Sequence, residues 1–92
     1  MGVEADLRGI RPYDRGMILD AMEESLLHAP ETETRNRKRL PKLVPPFESV
    51  PPIWELRAGE YRVFYDVNRE ERRVYVRAIR HKPPHRTTEE IL

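Results

Sequence analysis

The chain predicts an α+β domain, with two N-terminal helices packed on a three-stranded antiparallel sheet. Three observations predict it. Apolar residues recur at helical spacing as far as residue 28, and from residue 53 onward they alternate with polar ones at the two-residue period of strands. Between these regimes Pro41, Pro45, Pro46, Pro51 and Pro52 interrupt regular structure. Helices followed by strands, without βαβ alternation, give an α+β arrangement. The 92 residues suffice for one domain, 1–92, with a single modest core.

The elements follow in order. Gly2 to Ile10 is short and mildly amphipathic, with Val3, Leu7 and Ile10 at helical spacing. Arg11-Pro12 interrupts it, because proline fits the first position of a helix and not its interior. From Pro12 to His28 one row is Ile18, Met22 and Ser25, another Leu19, Met22 and Leu26. Asp14 sits in the first turn, where the helix dipole favours negative charge, and Ala29-Pro30 ends the helix. Glu31 to Pro52 is expected to lack a regular element through most of its length; it contains the basic run Arg35-Asn36-Arg37-Lys38-Arg39-Leu40.

Strands are expected at about 53–57, 60–67 and 73–81, joined by an Ala58-Gly59 turn and the polar loop 68–72. A turn centred there sets Glu55 opposite Arg62, and Trp54 and Leu56 opposite Val63 and Tyr61. One face is then core, and the other presents Glu55, Arg57, Arg62 and Phe64. In the last strand Val74, Val76 and Ala78 alternate with Tyr75, Arg77, Ile79 and His81. With the first set toward the helices, Arg77 and His81 join Arg62 on the opposite face. Pro83-Pro84 stops the strand, leaving a tail with room for a short helical turn.

Composition narrows the function classes. Hydrophobic content of 38% and charge of 36% are those of a soluble globular protein. No apolar run approaches the about 20 residues of a membrane helix, and no signal peptide is expected. The absence of cysteine excludes disulfides and thiolate metal sites and fits a reducing cytoplasm, the expected location. The net charge of +1 hides segregation: residues 1–34 hold three basic and eight acidic residues, residues 35–92 fourteen and eight. A basic surface in the second half suits a polyanion; a solvated surface of mixed charge is the plain alternative.

Arg57, Arg62, Arg77, Arg80, His81, Lys82, His85 and Arg86 fall on or just beyond the sheet. A guanidinium matches two phosphate oxygens with a planar fork, a histidine passes a proton near neutral pH, and a cation offsets charge developing on a phosphoryl group. RNA cleavage through the ribose 2′-hydroxyl needs such a base, acid and clamp, and no metal. The same residues also make a plain basic binding face. Arg62 either meets an anion or pairs with Glu55 across the hairpin, and Glu55 is either a salt-bridge partner or a general base held among arginines. No metal or cofactor is expected: of the three histidines only His81 and His85 are near each other, Pro-Pro separates them, and their surroundings are cationic. The glycines are scattered and form no phosphate loop.

Asp20-Ala21-Met22-Glu23-Glu24-Ser25-Leu26, the basic run 35–40, the hairpin Trp54-Glu55-Leu56-Arg57-Ala58-Gly59-Glu60-Tyr61-Arg62-Val63-Phe64-Tyr65-Asp66-Val67, then Val74-Tyr75-Val76 and His81-Lys82 together resemble the RelE/ParE superfamily of bacterial and archaeal toxins. The resemblance covers most of residues 5–82. It implies the toxin of a type II toxin–antitoxin pair, with a cognate antitoxin as partner. RelE-like members cut mRNA in the ribosomal A site through the 2′-hydroxyl; ParE-like members share the fold and inhibit DNA gyrase. Carried over, Arg62 matches the arginine that stabilises the transition state. Lys82 falls near the second catalytic arginine and His81 near the basic position before it, while His85 substitutes for a C-terminal tyrosine that is absent. Thr87 and Thr88 stand where that tyrosine is expected, and Ile53 and Glu55 where RelE proper has lysines. The strand that precedes Glu4-Ala5-Asp6-Leu7 in the family has no counterpart, which predicts an exposed sheet edge.

The expectation is therefore a RelE-type, ribosome-dependent mRNA endonuclease with catalytic Arg62, His81, Lys82 and His85. Arg35, Arg37, Lys38, Arg39, Arg57, Arg77, Arg80 and Arg86 would hold RNA, and the partners would be antitoxin, ribosome and mRNA. The alternative is a ParE-like gyrase inhibitor or a catalytically degenerate toxin that binds its antitoxin.

Overall fold

The helical spacing is realised in α1 (Val3–Arg8) and α2 (Pro12–Leu26), in a computed structural model that describes residues 3–27 and 29–92. His28, expected to close the second helix, lies outside the described residues. Pro12 opens α2 as expected, and Arg11 Nε donates to Asp14 Oδ2 at 2.7 Å across its first turn. Ile18 and Leu26 are the buried residues of α2. They pack with Trp54, Leu56, Ala58, Val63, Tyr65 and Ile79 into the main core between the helices and one sheet face.

The sheet has four strands where three are expected. β1 (Arg37–Leu40), β2 (Ile53–Ala58), β3 (Tyr61–Asn68) and β4 (Arg73–His81) pair antiparallel in that spatial order. β1 is part of the basic run. Four residues, three of them cationic, carry little strand signal; pairing with β2 places them, setting Lys38 opposite Glu55. Its outer edge meets the chain that precedes it at two points. Thr34 and Arg37 exchange backbone hydrogen bonds of 2.9 and 3.3 Å, and Glu33 Oε2 accepts the Arg39 N–H at 3.2 Å. At the opposite edge Asp6 of α1 accepts the Ile79 N–H at 2.9 Å. These contacts occupy part of each sheet edge and leave the rest of the long β4 edge without a paired strand.

Two register details differ from the sequence reading. The hairpin turns at Gly59-Glu60, with Gly59 at φ 60°, so Ala58 faces Tyr61, Arg57 faces Arg62 and Glu55 faces Phe64. Moving the turn by one residue shifts pairing by two and leaves the faces unchanged. In β4 the register slips between Phe64/Tyr65: Phe64 faces Ala78 and Tyr65 faces Val76, so Arg77 has no opposite number. This bulge swaps the alternation in the second half of the strand. Ile79 joins Val74 and Val76 in the main core, Ala78 goes to the other face, and His81 moves to the helix side, away from Arg62.

The second face is no solvated surface. Ile53, Phe64 and Ala78 form a smaller core there, covered by Leu40, Leu43 and Phe47 and by Ile91 and Leu92 at the C-terminus. Phe64 is fully buried, correcting its assignment as an outward residue. Asp66, also buried, ties this cover down by accepting the Val50 N–H at 2.9 Å and Arg77 Nε and Nη2 at 2.7 and 3.2 Å. The tail supplies α3 (Thr88–Ile91), opened by a reciprocal capping box between Thr87 and Glu90. No helix among the described residues is long and apolar enough to cross a membrane.

Candidate functional site

Antiparallel pairing sets Arg57, Arg62 and Arg80 in one row across β2, β3 and β4. Adjacent strands lie about 4.8 Å apart, and like charges directly opposed destabilise a sheet. The neighbouring row reads Lys38, Glu55, Phe64, Ala78. Where the two rows meet, beside the 34–38 segment and the C-terminal tail, lies an open hollow of about 490 Å³. Seven cationic side chains line it against two carboxylates, Glu55 and Glu89, so the cavity is strongly electropositive. Arg35, Arg37, Lys38, Arg57, Arg62, Lys82 and Arg86 are the seven.

Arg62 is well enclosed, its side chain only 12% exposed. Its Nη1 donates to the carbonyls of Gly59 and Tyr61 at 3.0 and 2.8 Å, which anchors the guanidinium over the turn. Burial holds Arg62 below the ordinary arginine value; Glu55 opposes that shift and Arg57 adds to it. Glu55 is buried at the centre of the floor. Thr88 Oγ1 donates to its Oε2 at 2.8 Å, Lys38 Nζ lies 3.8 Å from Oε1, and Arg62 Nε lies 3.9 Å from Oε2. Arg57 is exposed, and the Lys82 N–H bonds the Glu60 carbonyl at 2.6 Å, carrying the ladder one residue beyond β4 to the rim. Arg86 stands 3.8 Å from Glu90.

The other expected site residues are placed elsewhere. Arg37 touches the hollow, yet its Nη1 donates to the Ser25 carbonyl at 2.6 Å, where a cation suits the C-terminal end of α2. Arg77 is engaged by Asp66, whose hydrogen bond raises its affinity for the proton, and it lies over the Tyr75 ring at 5.0 Å. With Arg39 it borders a separate groove of about 870 Å³ that also carries Glu31, Glu33 and Glu70. Arg80 stands in the arginine row but turns its Nη1 to Asp6 at 3.0 Å and lies over Phe47. His81 meets Glu60 Oε1 at 3.0 Å and packs its ring on Tyr61, on the helix side. His85, at φ 73° in the loop after Pro83-Pro84, is exposed and does not line the hollow. Neither histidine shares the Arg62 site; the bulge at Arg77 is the reason for His81.

The sequence reading of Glu55 as a salt-bridge partner agrees with its contacts to Lys38 and Arg62, while the approach of Thr88 to it was not foreseen. The only local signal near Thr88 was Thr87-x-x-Glu90, a capping-box spacing that announces a helix start. Among the described residues no three His, Asp or Glu side chains converge as metal ligands.

A family model described as the ParE toxin of type II toxin-antitoxin system, parDE, matches residues 2–82. No curated protein and no solved structure matches significantly. The matched stretch holds both N-terminal helices, all four strands and the Arg57–Arg62 floor of the hollow, while α3 lies beyond it. The chain belongs to the ParE toxin family, the toxin partner of a type II toxin–antitoxin system whose other member is a cognate antitoxin.

Proposed function

We propose that the toxin acts as an endoribonuclease on mRNA presented by the ribosome, cutting through the ribose 2′-hydroxyl. The observation that carries this reading is the direct opposition of Arg57 and Arg62 beside a buried carboxylate in an open cationic hollow. A fold keeps like charges face to face at a cost, and an incoming phosphodiester offsets that cost. In this reading Arg57, Lys38, Arg35 and Arg86 grip the backbone and Arg62 holds the scissile phosphate. Glu55, the one buried carboxylate lining the hollow among the described residues, takes the proton from the 2′-hydroxyl. The 2′-oxygen attacks phosphorus, the bond to the 5′-oxygen breaks, and that oxygen leaves with a proton from water, giving a 2′,3′-cyclic phosphate. Lys82 and Arg62 offset the charge that develops on the phosphoryl oxygens. Glu55 replaces His81 and His85 in the base role, because neither ring borders this cavity.

Primer extension on mRNA translated with purified protein tests the proposal. New cuts confined to translated message are expected, and a 2′-deoxy nucleotide at the cut position abolishes them. An undisturbed message at micromolar toxin refutes it.

A second reading, a gyrase-inhibiting or docking toxin without nuclease chemistry, draws on the commitment of Arg62 Nη1 to two carbonyls and of Glu55 to Thr88. Inhibition of gyrase supercoiling by the purified protein, with mRNA left intact, selects it.

A further inference from the structure

A buried carboxylate beside a guanidinium ordinarily closes to about 2.8 Å with a two-point contact. Asp66 and Arg77 do so in this sheet, at 2.7 and 3.2 Å. Glu55 and Arg62 do not: Arg62 Nε stops 3.9 Å from Glu55 Oε2. Two local contacts hold them apart. Arg62 Nη1 is anchored on Gly59 and Tyr61, and Glu55 Oε2 accepts the Thr88 hydroxyl at 2.8 Å.

Thr88 is itself held firmly. The Thr87–Glu90 capping box fixes the first turn of α3, with Glu90 N donating to Thr87 Oγ1 at 3.3 Å and Thr87 N to Glu90 Oε1 at 2.7 Å. Ile91 and Leu92 anchor the end of the segment in the second core. The hydroxyl therefore approaches Glu55 from a packed element, and this element lies outside the family match.

We infer that Thr88 is a positioning residue that keeps the carboxylate of Glu55 off the guanidinium of Arg62. The spacing leaves the remaining Arg62 donors open to phosphate and a Glu55 lone pair open to the ribose hydroxyl. Without the hydroxyl, Glu55 closes on Arg62, and base and clamp neutralise each other. The inference rests on the nuclease reading above for its catalytic consequence, but the spacing itself is a property of the free protein.

Thr88→Val is nearly isosteric and removes only the donor, while Thr88→Ser retains it. Two readouts are made on each folded protein: the Arg62 Nε–H resonance by ¹⁵N–¹H NMR, and cleavage kinetics on translated mRNA. In Thr88→Val the resonance is expected to move to the position of a direct ion pair. Since a displacement of about 1 Å at a reacting group costs on the order of 10²-fold, kcat should fall by about that factor. KM should stay within about twofold, because the outer cations still bind the backbone. Thr88→Ser should restore both readouts. A Thr88→Val protein with an unmoved resonance and wild-type kcat overturns the inference. So does a Thr88→Ser protein that behaves like Thr88→Val, since methyl packing would then be the active feature. If the wild type cuts no RNA, the nuclease reading falls and the resonance alone decides: moved in Thr88→Val, Thr88 stands as the spacer of an anion site; unmoved, the inference falls as well.

Discussion

Removing Arg62 should disable the toxin while leaving it folded, and the structure lets the two effects be separated. In Arg62→Ala the Gly59 and Tyr61 carbonyls lose a side-chain donor, at an exposed turn residue and a half-buried one that water can reach. That loss costs about 1 kcal/mol. Glu55 keeps Thr88 at 2.8 Å and Lys38 at 3.8 Å, and relief of the opposition with Arg57 returns a few tenths of a kcal/mol. The net destabilisation, about 1 kcal/mol, lowers Tm by roughly 4–8 °C for a domain of this size. The chemical loss is larger. A preorganised donor aimed at charge developing in the transition state is worth about 2.7–4 kcal/mol, or on the order of 10²–10³ in rate. Cleavage of translated mRNA should therefore slow by that factor at 25 °C, where the melt shows the variant still folded. Arg62→Lys keeps the charge but loses the fork, and should recover only part of the rate. A folded Arg62→Ala protein that cuts mRNA, or arrests growth, like the wild type refutes the reasoning. A variant unfolded at 25 °C refutes the proposed split between folding and chemistry.

Three further outcomes are expected. Asp66→Asn keeps the shape of a side chain that is 2% exposed but weakens its bonds to Arg77 and Val50; urea unfolding should show a loss of about 2–3 kcal/mol, and under about 0.5 kcal/mol would contradict the anchoring role. Gly59→Ala forces a side chain into φ 60° and sets its Cβ 2.9 Å from Met17 Cε; the flexible methionine end can yield, so the melt should report about 1 kcal/mol, mainly from the backbone. Tyr65, pushed by burial up to about 12 from an ordinary 10.0, should be the last tyrosine to ionise in an ultraviolet titration. Because its folded value lies above its unfolded one, the stabilisation is complete below pH 10.0 and drains away as pH rises through about 12. Alkaline unfolding in that window should weaken in Tyr65→Phe, and a Tyr65 that titrates near 10 would show the ring to be solvated.

Legibility varied with the range of the interactions involved. Helix α2 and strands β2, β3 and β4 were readable because each carries its own period of apolar residues and its own stop, Pro30, Gly59, the polar loop 68–72 and Pro83 in turn. Strand β1 was not, since Arg37-Lys38-Arg39-Leu40 has no strand pattern and pairs only because Glu55 and the β2 backbone await it. Arg62, Arg57 and Lys82 were readable as a cluster, while the exclusion of His81 was not. That exclusion follows from one extra residue at Arg77, invisible to an alternation rule.

Local pattern was enough to establish an α+β fold with a cationic half and an arginine-bearing hairpin, because spacing, turn chemistry and charge are properties of neighbours along the chain. Which cations share a cavity depended on contacts between distant segments. The turn at Gly59-Glu60 set Arg57 against Arg62, the bulge sent His81 to the helices, and the tail brought Thr88 to Glu55 across 33 residues. A shift of a single position in any of these pairings turns a side chain to another neighbour or another face, so only the folded sheet could show which side chains share the hollow.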